Sequence, residues 1–243
     1  MNDGSAAADL LISASVQNGA IVKADSGTMT LTGVNTFSGS TTINAGTLEA
    51  GAAGALGSTS AVTVNTGGTL LLSGSGDRVN DSAAITLSGG TFNTGGLSET
   101  VGTLTLSDDS IIDFGGGAST LSFANSSGIT WATGKTLSIW NWSGTPVDGG
   151  GTDQLRFASN GLTTTQLGQI NFYSGAGTGL LTGVFGNDFV GGVGEVVPVP
   201  EPSGVATVMG LLGLVGWRER RKVRAARAAG RVARAYASKF FSL

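Results

Sequence analysis

The acidic residues in the middle of the chain are the first candidates for chemistry. The sequence has no His and no Cys, so acid–base or metal chemistry would rest on carboxylates. Asp108, Asp109 and Asp113 lie close together, and paired carboxylates are the groups that polysaccharide hydrolysis needs. The alternative is a turn at 107–110 followed by a strand, with the acids in solvent. We expect this alternative, because no Lys- or Arg-rich segment adjoins them to hold an acidic sugar.

Two glycine-rich segments are candidate ligand sites. Residues 148–155, DGGGTDQL, resemble one copy of the nonapeptide that binds calcium in β-roll proteins, with Asp148 replacing the first glycine. That motif needs consecutive copies, because each ion lies between neighbouring turns. Residues 175–179 lack the strand and helix that a phosphate loop requires. Both segments are interpreted as surface turns, and we expect no metal, no cofactor and no catalytic residue.

Aromatic residues gather in three segments after residue 136, at 137–142, 155–157 and 170–173. In an unbroken strand Trp140 and Trp142 would share one face, and they could then form a platform for stacking sugars. The other interpretation is a cap that closes the C-terminal end of a repeat array. We expect the cap.

Short strands and turns must position all of these residues. Steps of Gly, then Thr or Lys, then an apolar residue begin at Gly27, Gly46, Gly68 and Gly90, with spacings of 19, 22 and 22 residues. Gly102 falls outside this register, and Gly134 is expected to restore it two periods later. A period near 22 is typical of solenoids, in which stacked turns bury one continuous core.

One complete unit of the pattern lies at residues 23–57. Residues 28–32 and 41–43 alternate like strands, and Gly33, Asn35 and Gly39 are interpreted as turn positions with positive φ. The segments GTMTLTG, NTFSG, TTI and GTL occur here in the order of the autotransporter-associated β-strand repeat, which this unit resembles, with Met29 for Leu and Phe37 for Tyr. The resemblance implies a right-handed parallel β-helix in an exported protein.

Charge is divided along the chain. Residues 1–202 hold four basic and fifteen acidic residues, a net charge of −11, whereas residues 203–243 hold nine basic residues and one acidic residue, a net charge of +8. The two parts are therefore expected in different environments. Residues 1–20 contain no Lys or Arg, and their apolar run at 10–12 is too short for a signal-peptide core. We interpret them as a lead-in and expect the natural start to lie upstream.

The C-terminal part has the order of a sorting signal. Pro200, Glu201 and Pro202 precede an apolar segment at 203–217, and a basic stop follows it at Arg218, Arg220, Arg221 and Lys222. Residues 196–222 closely resemble the PEP-CTERM sorting signal. The resemblance implies recognition at the motif, residues 198–202, by an exosortase-type membrane protease that cleaves near it.

The physical properties of residues 203–222 agree with an anchor. Fifteen residues form a helix of about 22 Å, short against a hydrocarbon core of about 30 Å. Arginines that snorkel extend the reach of such a helix, and the basic cluster predicts a cytoplasmic C-terminus.

Residues 223–243 continue past the usual end of such a signal. On a helix they would place one basic stripe opposite an apolar one, which favours an anionic inner leaflet over nucleic acid as the partner. The stripes are Arg220, Arg224, Arg227, Arg231 and Arg234 against Ala225, Ala229, Val232, Tyr236 and Phe240.

The sequence thus predicts an all-β protein. A parallel β-helix at 21–195 is followed by one transmembrane helix and a basic amphipathic tail. The expected function is a non-enzymatic structural or adhesive protein, anchored transiently in the inner membrane and then released to the cell surface or matrix, with exopolysaccharide as a candidate partner. The alternative is a carbohydrate-active β-helix enzyme that uses clustered Asp.

Overall fold

The structure is a computed structural model that describes residues 9–146, 149–158, 161–181, 184–188 and 193–199. The chain divides into two compact units, Met1–Pro200 and Glu201–Leu243, and every described residue belongs to the first. Among the described residues, no helix is long and apolar enough to cross a membrane. Residues 200–243, which hold most of the predicted sorting signal and the whole basic tail, lie outside the described residues.

Three sheets, built mainly from parallel strands, make up the first unit. Sheet A, in spatial order, contains β1 (Leu10–Ile12), β3 (Thr28–Leu31), β5 (Gly46–Ala50), β7 (Gly68–Leu72), β9 (Thr91–Asn93), β12 (Ser110–Asp113), β14 (Leu137–Trp140), β16 (Ile170–Tyr173) and β17 (Leu180–Leu181). Sheet B contains β2 (Ile21–Lys23), β4 (Thr41–Ile43), β6 (Ala61–Asn65), β8 (Ala84–Ser88) and β11 (Leu104–Asp108). Sheet C contains β10 (Glu99–Val101), β13 (Ser119–Phe123), β15 (Asp153–Ala158), β19 (Val193–Val199) and β18 (Val184–Asp188).

From β1 to β16 each strand lies in a different sheet from the strand before it, and this alternation makes the unit a parallel β-solenoid. Gly46 lies opposite Gly68, and Thr28, Thr47, Thr69 and Thr91 are paired from each turn to the next. The register predicted from the four glycine steps is therefore confirmed. The strand after Gly102 belongs instead to sheet B, where Leu104 pairs with Ile85. Gly134 was predicted to occupy the position of Gly90 two turns later. Leu137 occupies that position instead, three residues further on, because it pairs with Ser110, which lies beside Gly90 in the neighbouring strand.

The core consists of inward rows that run across the strands. On sheet A, Leu48, Leu70, Phe92, Ile112, Ile139 and Phe172 form one such row, and each of them is fully buried. Burying one such side chain contributes about 1.5–3 kcal/mol. Because each residue of the row contacts the turn before and the turn after, a single turn could not bury its own apolar face.

The turn residues of the first complete unit have a different role from the predicted one. Gly33 and Gly39 are absent from the positive-φ residues; a Cβ on them would lie 2.7 Å from Ser13 O and 2.2 Å from Gly19 O. Glycine is therefore needed there for close approach of the preceding turn. Asn35 also lacks a positive φ, and its buried side chain accepts from Val16 N and donates to Ala55 O, both at 2.7 Å.

The three aromatic segments are further turns of the solenoid and do not form a separate cap. They contain β14, β15 and β16, which pair in parallel with β12, β13 and β14. The parallel order ends only where β17 pairs antiparallel with β16 and β19 pairs antiparallel with β15. A short helix, α1 (Thr164–Leu167), precedes β16 and begins with a capping box between Thr163 and Gln166.

The two tryptophans do not share a face. Strand β14 ends at Trp140, and Asn141 has a positive φ of 55°, which turns the chain before Trp142. Trp142 is buried and packs edge to face on Phe172, with ring centroids 5.1 Å apart. The hypothesis of a two-tryptophan sugar platform is therefore wrong, whereas Trp140 remains half-buried on the outward side.

Candidate functional site

The carboxylates of Asp108 and Asp109 at the end of sheet B bind one lysine. Lys135 Nζ lies 2.6 Å from Asp108 Oδ1 and 3.7 Å from Asp109 Oδ2, and Asp109 also accepts from Thr136 N at 2.7 Å. The hydrogen bond and the charge of Lys135 lower the pKa of Asp108, and Asp108 in turn raises the pKa of Lys135. Both acids therefore hold the 135–136 segment against the turn between β11 and β12.

Asp113 lies on the outward face of sheet A, in a row of amide side chains. It accepts from Asn93 Nδ2 at 3.1 Å, from Asn141 Nδ2 at 2.7 Å and from Gly115 N at 2.8 Å. The expectation that all three acids are solvated was wrong here, because Asp113 is engaged by hydrogen bonds. The three aspartates also do not converge on a common site.

A different acidic group, whose members no sequence motif connects, lies around Arg78. The loop after β7 carries Asp77, Arg78 and Asp81, and β10 begins with Glu99. Arg78 Nη1 lies 3.3 Å from Glu99 Oε2, and the two side chains are 3% and 2% exposed. Arg78 also donates to Ser73 O at 2.7 Å and to Gly74 O at 3.1 Å, so its guanidinium is bound on several sides.

Glu99 has the most perturbed acidity among the described residues. Burial, followed by its hydrogen bond with Asp77, raises the pKa of Glu99 to about 7. Glu99 borders an open pocket of about 390 Å³ together with Asp77, Asp81, Ser98, Thr100, Thr120 and Ser122, and its own side chain is almost completely buried.

This pocket also holds the carboxylates that could bind a metal. One oxygen each of Asp77, Asp81 and Glu99 lies within 4.8 Å of the others, so these residues could hold a hard cation such as Ca²⁺. Of the three, only Glu99 is buried.

The segment that resembles a calcium nonapeptide forms a structural contact instead. Asp153 is buried at the start of β15, where it accepts from Ser119 N at 3.3 Å and from Ser143 N at 2.9 Å. Gly150 N donates to Glu195 Oε2 at 2.7 Å. The carboxylate of Asp153 therefore ties β15 to neighbouring segments and does not face solvent, contrary to a plain surface turn. Asp148 lies outside the described residues.

Outward residues of the solenoid form polar rows. Thr30 Oγ1 donates to Glu49 Oε2 at 2.7 Å on sheet A, and Asn65 Nδ2 donates to Asn44 Oδ1 at 2.8 Å beside sheet B. These residues point outward because polar residues alternate with apolar ones along the strands.

Comparison with known proteins points to the same segment as the repeat pattern. The family described as Passenger-associated-transport-repeat matches residues 21–50, which span β2, β3, β4 and β5. No curated protein and no solved structure matches the chain. Residues 21–50 thus carry a repeat of the autotransporter-associated type, folded as stacked turns of the solenoid.

Proposed function

We propose that the protein is an exported, non-enzymatic structural or adhesive protein of the cell surface or extracellular matrix. The observation that carries this proposal is the transport-associated repeat at residues 21–50, which is folded into the solenoid rather than appended to it. A solenoid of this kind offers a long, regular surface of polar side chains. Such a surface suits attachment or assembly, since it repeats the same contacts from turn to turn.

The second candidate is a carbohydrate-active enzyme, and the Asp77–Glu99 pair is the observation that favours it. A carboxyl group with a pKa of about 7 could act as a general acid. Against this, the Glu99 side chain is only 2% exposed and is bound by Arg78, so a polymer could not reach it without movement of the loop. Incubation with neutral and acidic polysaccharides is expected to release no reducing ends and no unsaturated products. Product release that Glu99→Gln, Asp109→Ala or Asp113→Ala abolishes would support the enzyme.

The proposal extends to sorting through the C-terminal part. Pro200-Glu201-Pro202 would be the recognition motif for an exosortase-type protease, residues 203–217 the temporary membrane helix, and residues 218–222 the cytoplasmic stop. Residues 223–243 would lie on the anionic inner leaflet and bind no nucleic acid. The solenoid itself would be right-handed, as the repeat resemblance implies.

The proline-rich sequence of the motif supports this proposal, because proline disfavours helix and favours the extended backbone that a protease cleft accepts. Pro198 itself is buried in β19, opposite Phe185 of β18, so recognition there would require that end of β19 to separate from β18.

Mass spectrometry and surface labelling of the protein in its native host test the proposal. We expect the solenoid to be labelled from outside the cell and to end near the motif, with Glu201→Ala preventing the cleavage. The control is Asp25→Ala, which removes an exposed carboxylate far from the motif in the sequence. A surface protein that ends at Leu243 would refute the sorting part alone, and a solenoid found only in the cytoplasm would refute the whole proposal.

A further inference from the structure

Sheet B presents a straight row of threonines on the outside of the solenoid. The row crosses four neighbouring strands, and the parallel register pairs each member with the next: Thr42, Thr63, Thr86 and Thr105. All four side chains are half-buried and alternate with fully buried core residues along their strands. Because neighbouring strands lie about 4.8 Å apart, the row repeats one hydroxyl group and one methyl group at that interval.

The hydroxyl groups of this row are not used within the protein. Throughout the described part of the chain, none of the four threonine side chains hydrogen-bonds to another protein group. Asn44, just after β4, and Asn65, the last residue of β6, instead bond to each other. Since a hydroxyl group both donates and accepts, the row offers a series of evenly spaced hydrogen-bonding groups to solvent or to a ligand.

The surroundings of the row are uncharged on its three central strands, whereas β11 ends in Asp108, which is paired with Lys135. Ala61 and Ala84 pair beside it, and strands β4, β6 and β8 contain no charged residue. Sheet A has a comparable row, Thr28, Thr47, Thr69 and Thr91, but it is flanked by Glu49 and Leu71, whose longer side chains project further from the sheet. Of the two rows, the one on sheet B is therefore the more accessible to a long ligand.

We propose that the outward face of sheet B binds an extended, uncharged polysaccharide, which lies across the strands along the threonine row. This inference rests on the proposed function and names the partner of that surface. A neutral polysaccharide carries hydroxyl groups at regular intervals, which pair with the threonine hydroxyls, and apolar ring faces, which contact the threonine methyls. The uncharged strands β4, β6 and β8 give no attraction to an anionic polymer or to lipid headgroups, and Asp108, Asp109 and Lys135 at the end of the sheet carry a net charge of −1.

The geometry also sets the length of ligand that binds. One hydrogen bond exchanged with water contributes little to affinity, so a monosaccharide on one threonine is not retained. A chain that contacts several threonines at once gains from each successive contact without a further loss of translational freedom. Binding is therefore expected for polymers and absent for the corresponding monosaccharides.

Co-sedimentation of the full chain with insoluble cellulose and with insoluble mannan tests the proposal, with alginate as the anionic comparison. We expect retention on at least one neutral polymer, weakened about tenfold by Thr63→Ala/Thr86→Ala, since two hydrogen bonds are lost. The matched control is Thr47→Ala/Thr69→Ala on sheet A, which should leave retention unchanged. Thr63→Ser/Thr86→Ser, which keeps the hydroxyls, should restore most of the binding.

Three results would overturn the proposal. The first is that the protein is retained on neither neutral polymer. The second is that the sheet A control variant weakens retention as much as the sheet B variant does. The third is that the protein binds alginate better than the neutral polymers and that salt abolishes this binding. Thermal unfolding of each variant separates a lost contact from a lost fold. A chain that reaches the cell surface but fails to bind glycan would leave the proposed function standing, whereas a chain that is never exported would refute that function independently of this test.

Discussion

Arg78 and Glu99 form an ion pair of 3.3 Å between the loop after β7 and the first strand of sheet C. The two residues are 21 positions apart, about one turn of the solenoid, and both side chains are almost completely buried. A charge left alone in such a place loses its hydration without compensation. The pair therefore fixes the position at which sheet C begins, because the guanidinium also binds Ser73 O and Gly74 O in the loop.

Replacement of Arg78 by methionine is expected to lower the free energy of unfolding by about 3 kcal/mol at pH 8, because Arg78 lowers the pKa of Glu99 and, without it, the buried carboxyl group must either ionise unpaired or take up a proton on folding. The loss should be smaller at pH 5, where Glu99 is protonated. Urea unfolding at the two pH values measures both effects. Lys135→Met, which breaks an exposed ion pair, is the control and should leave stability essentially unchanged. An equal effect of the two substitutions would contradict the assigned role of burial.

The raised pKa of Glu99 predicts a stability that falls as the pH rises. Between its ordinary pKa of 4.5 and about 7 the folded state holds a proton that the unfolded state has released. This contribution is therefore fully present below pH 4.5 and is lost as the pH passes 7, an effect of about 3 kcal/mol.

Glu99→Gln removes this titration and isolates it from the other carboxylates. The difference in unfolding free energy between the variant and the natural chain should grow in favour of the variant from pH 4.5 to 8. Asp109→Asn, at an exposed position, is the control and should not reproduce this slope. Parallel pH profiles for Glu99→Gln and the natural chain would show that Glu99 titrates normally.

Local patterns predicted the solenoid because its strands obey a short-range rule. Alternation of apolar with polar residues specifies which side chains point inward, and recurring Gly-Thr steps specify the register, as the pairing of Gly46 with Gly68 confirms. The rule failed where one turn of the solenoid is longer than the others. Paired residues of β12 and β14 are 27 positions apart, so the glycine step at Gly134 predicted the wrong pairing for β14.

Contacts between turns were harder to predict than the strands. No local sequence pattern links Arg78 with Glu99, because the contact between their side chains depends on the lengths of all the strands and turns between them. The prediction that Trp140 and Trp142 share one face failed for a related reason. The positive φ at Asn141 interrupts the strand alternation on which that prediction rested. Asp113 was identified as a candidate, but its amide partners come from the turns before and after it.

Asn35 is expected to be one of the most sensitive polar positions in the repeat. Its buried side chain bonds to the turn before through Val16 N and to the turn after through Ala55 O. Asn35→Leu keeps the approximate volume but removes the partners of both backbone groups, which should cost about 3 kcal/mol. Chemical denaturation of this variant and of Asn44→Ala, an exposed control expected to change stability by less than about 0.5 kcal/mol, provides the comparison.

A small effect of Asn35→Leu would mean that water replaces the amide, and the Asn of the repeat would then need another explanation. A large effect would explain why that position carries Asn rather than another turn residue. The polar group is required because it satisfies Val16 N of the turn before and Ala55 O of the turn after.

The two tryptophans should differ sharply in their contribution to stability. Trp142 is 2% exposed and packs edge to face on Phe172, so Trp142→Ala is expected to open a cavity and to cost about 4 kcal/mol. Trp140→Ala, on the half-buried outward side of β14, should cost less than half as much, because solvent fills the space that its ring vacates. Urea unfolding curves of the two variants measure the difference. Equal costs would mean that both rings belong to the core and that the turn at Asn141 does not separate them.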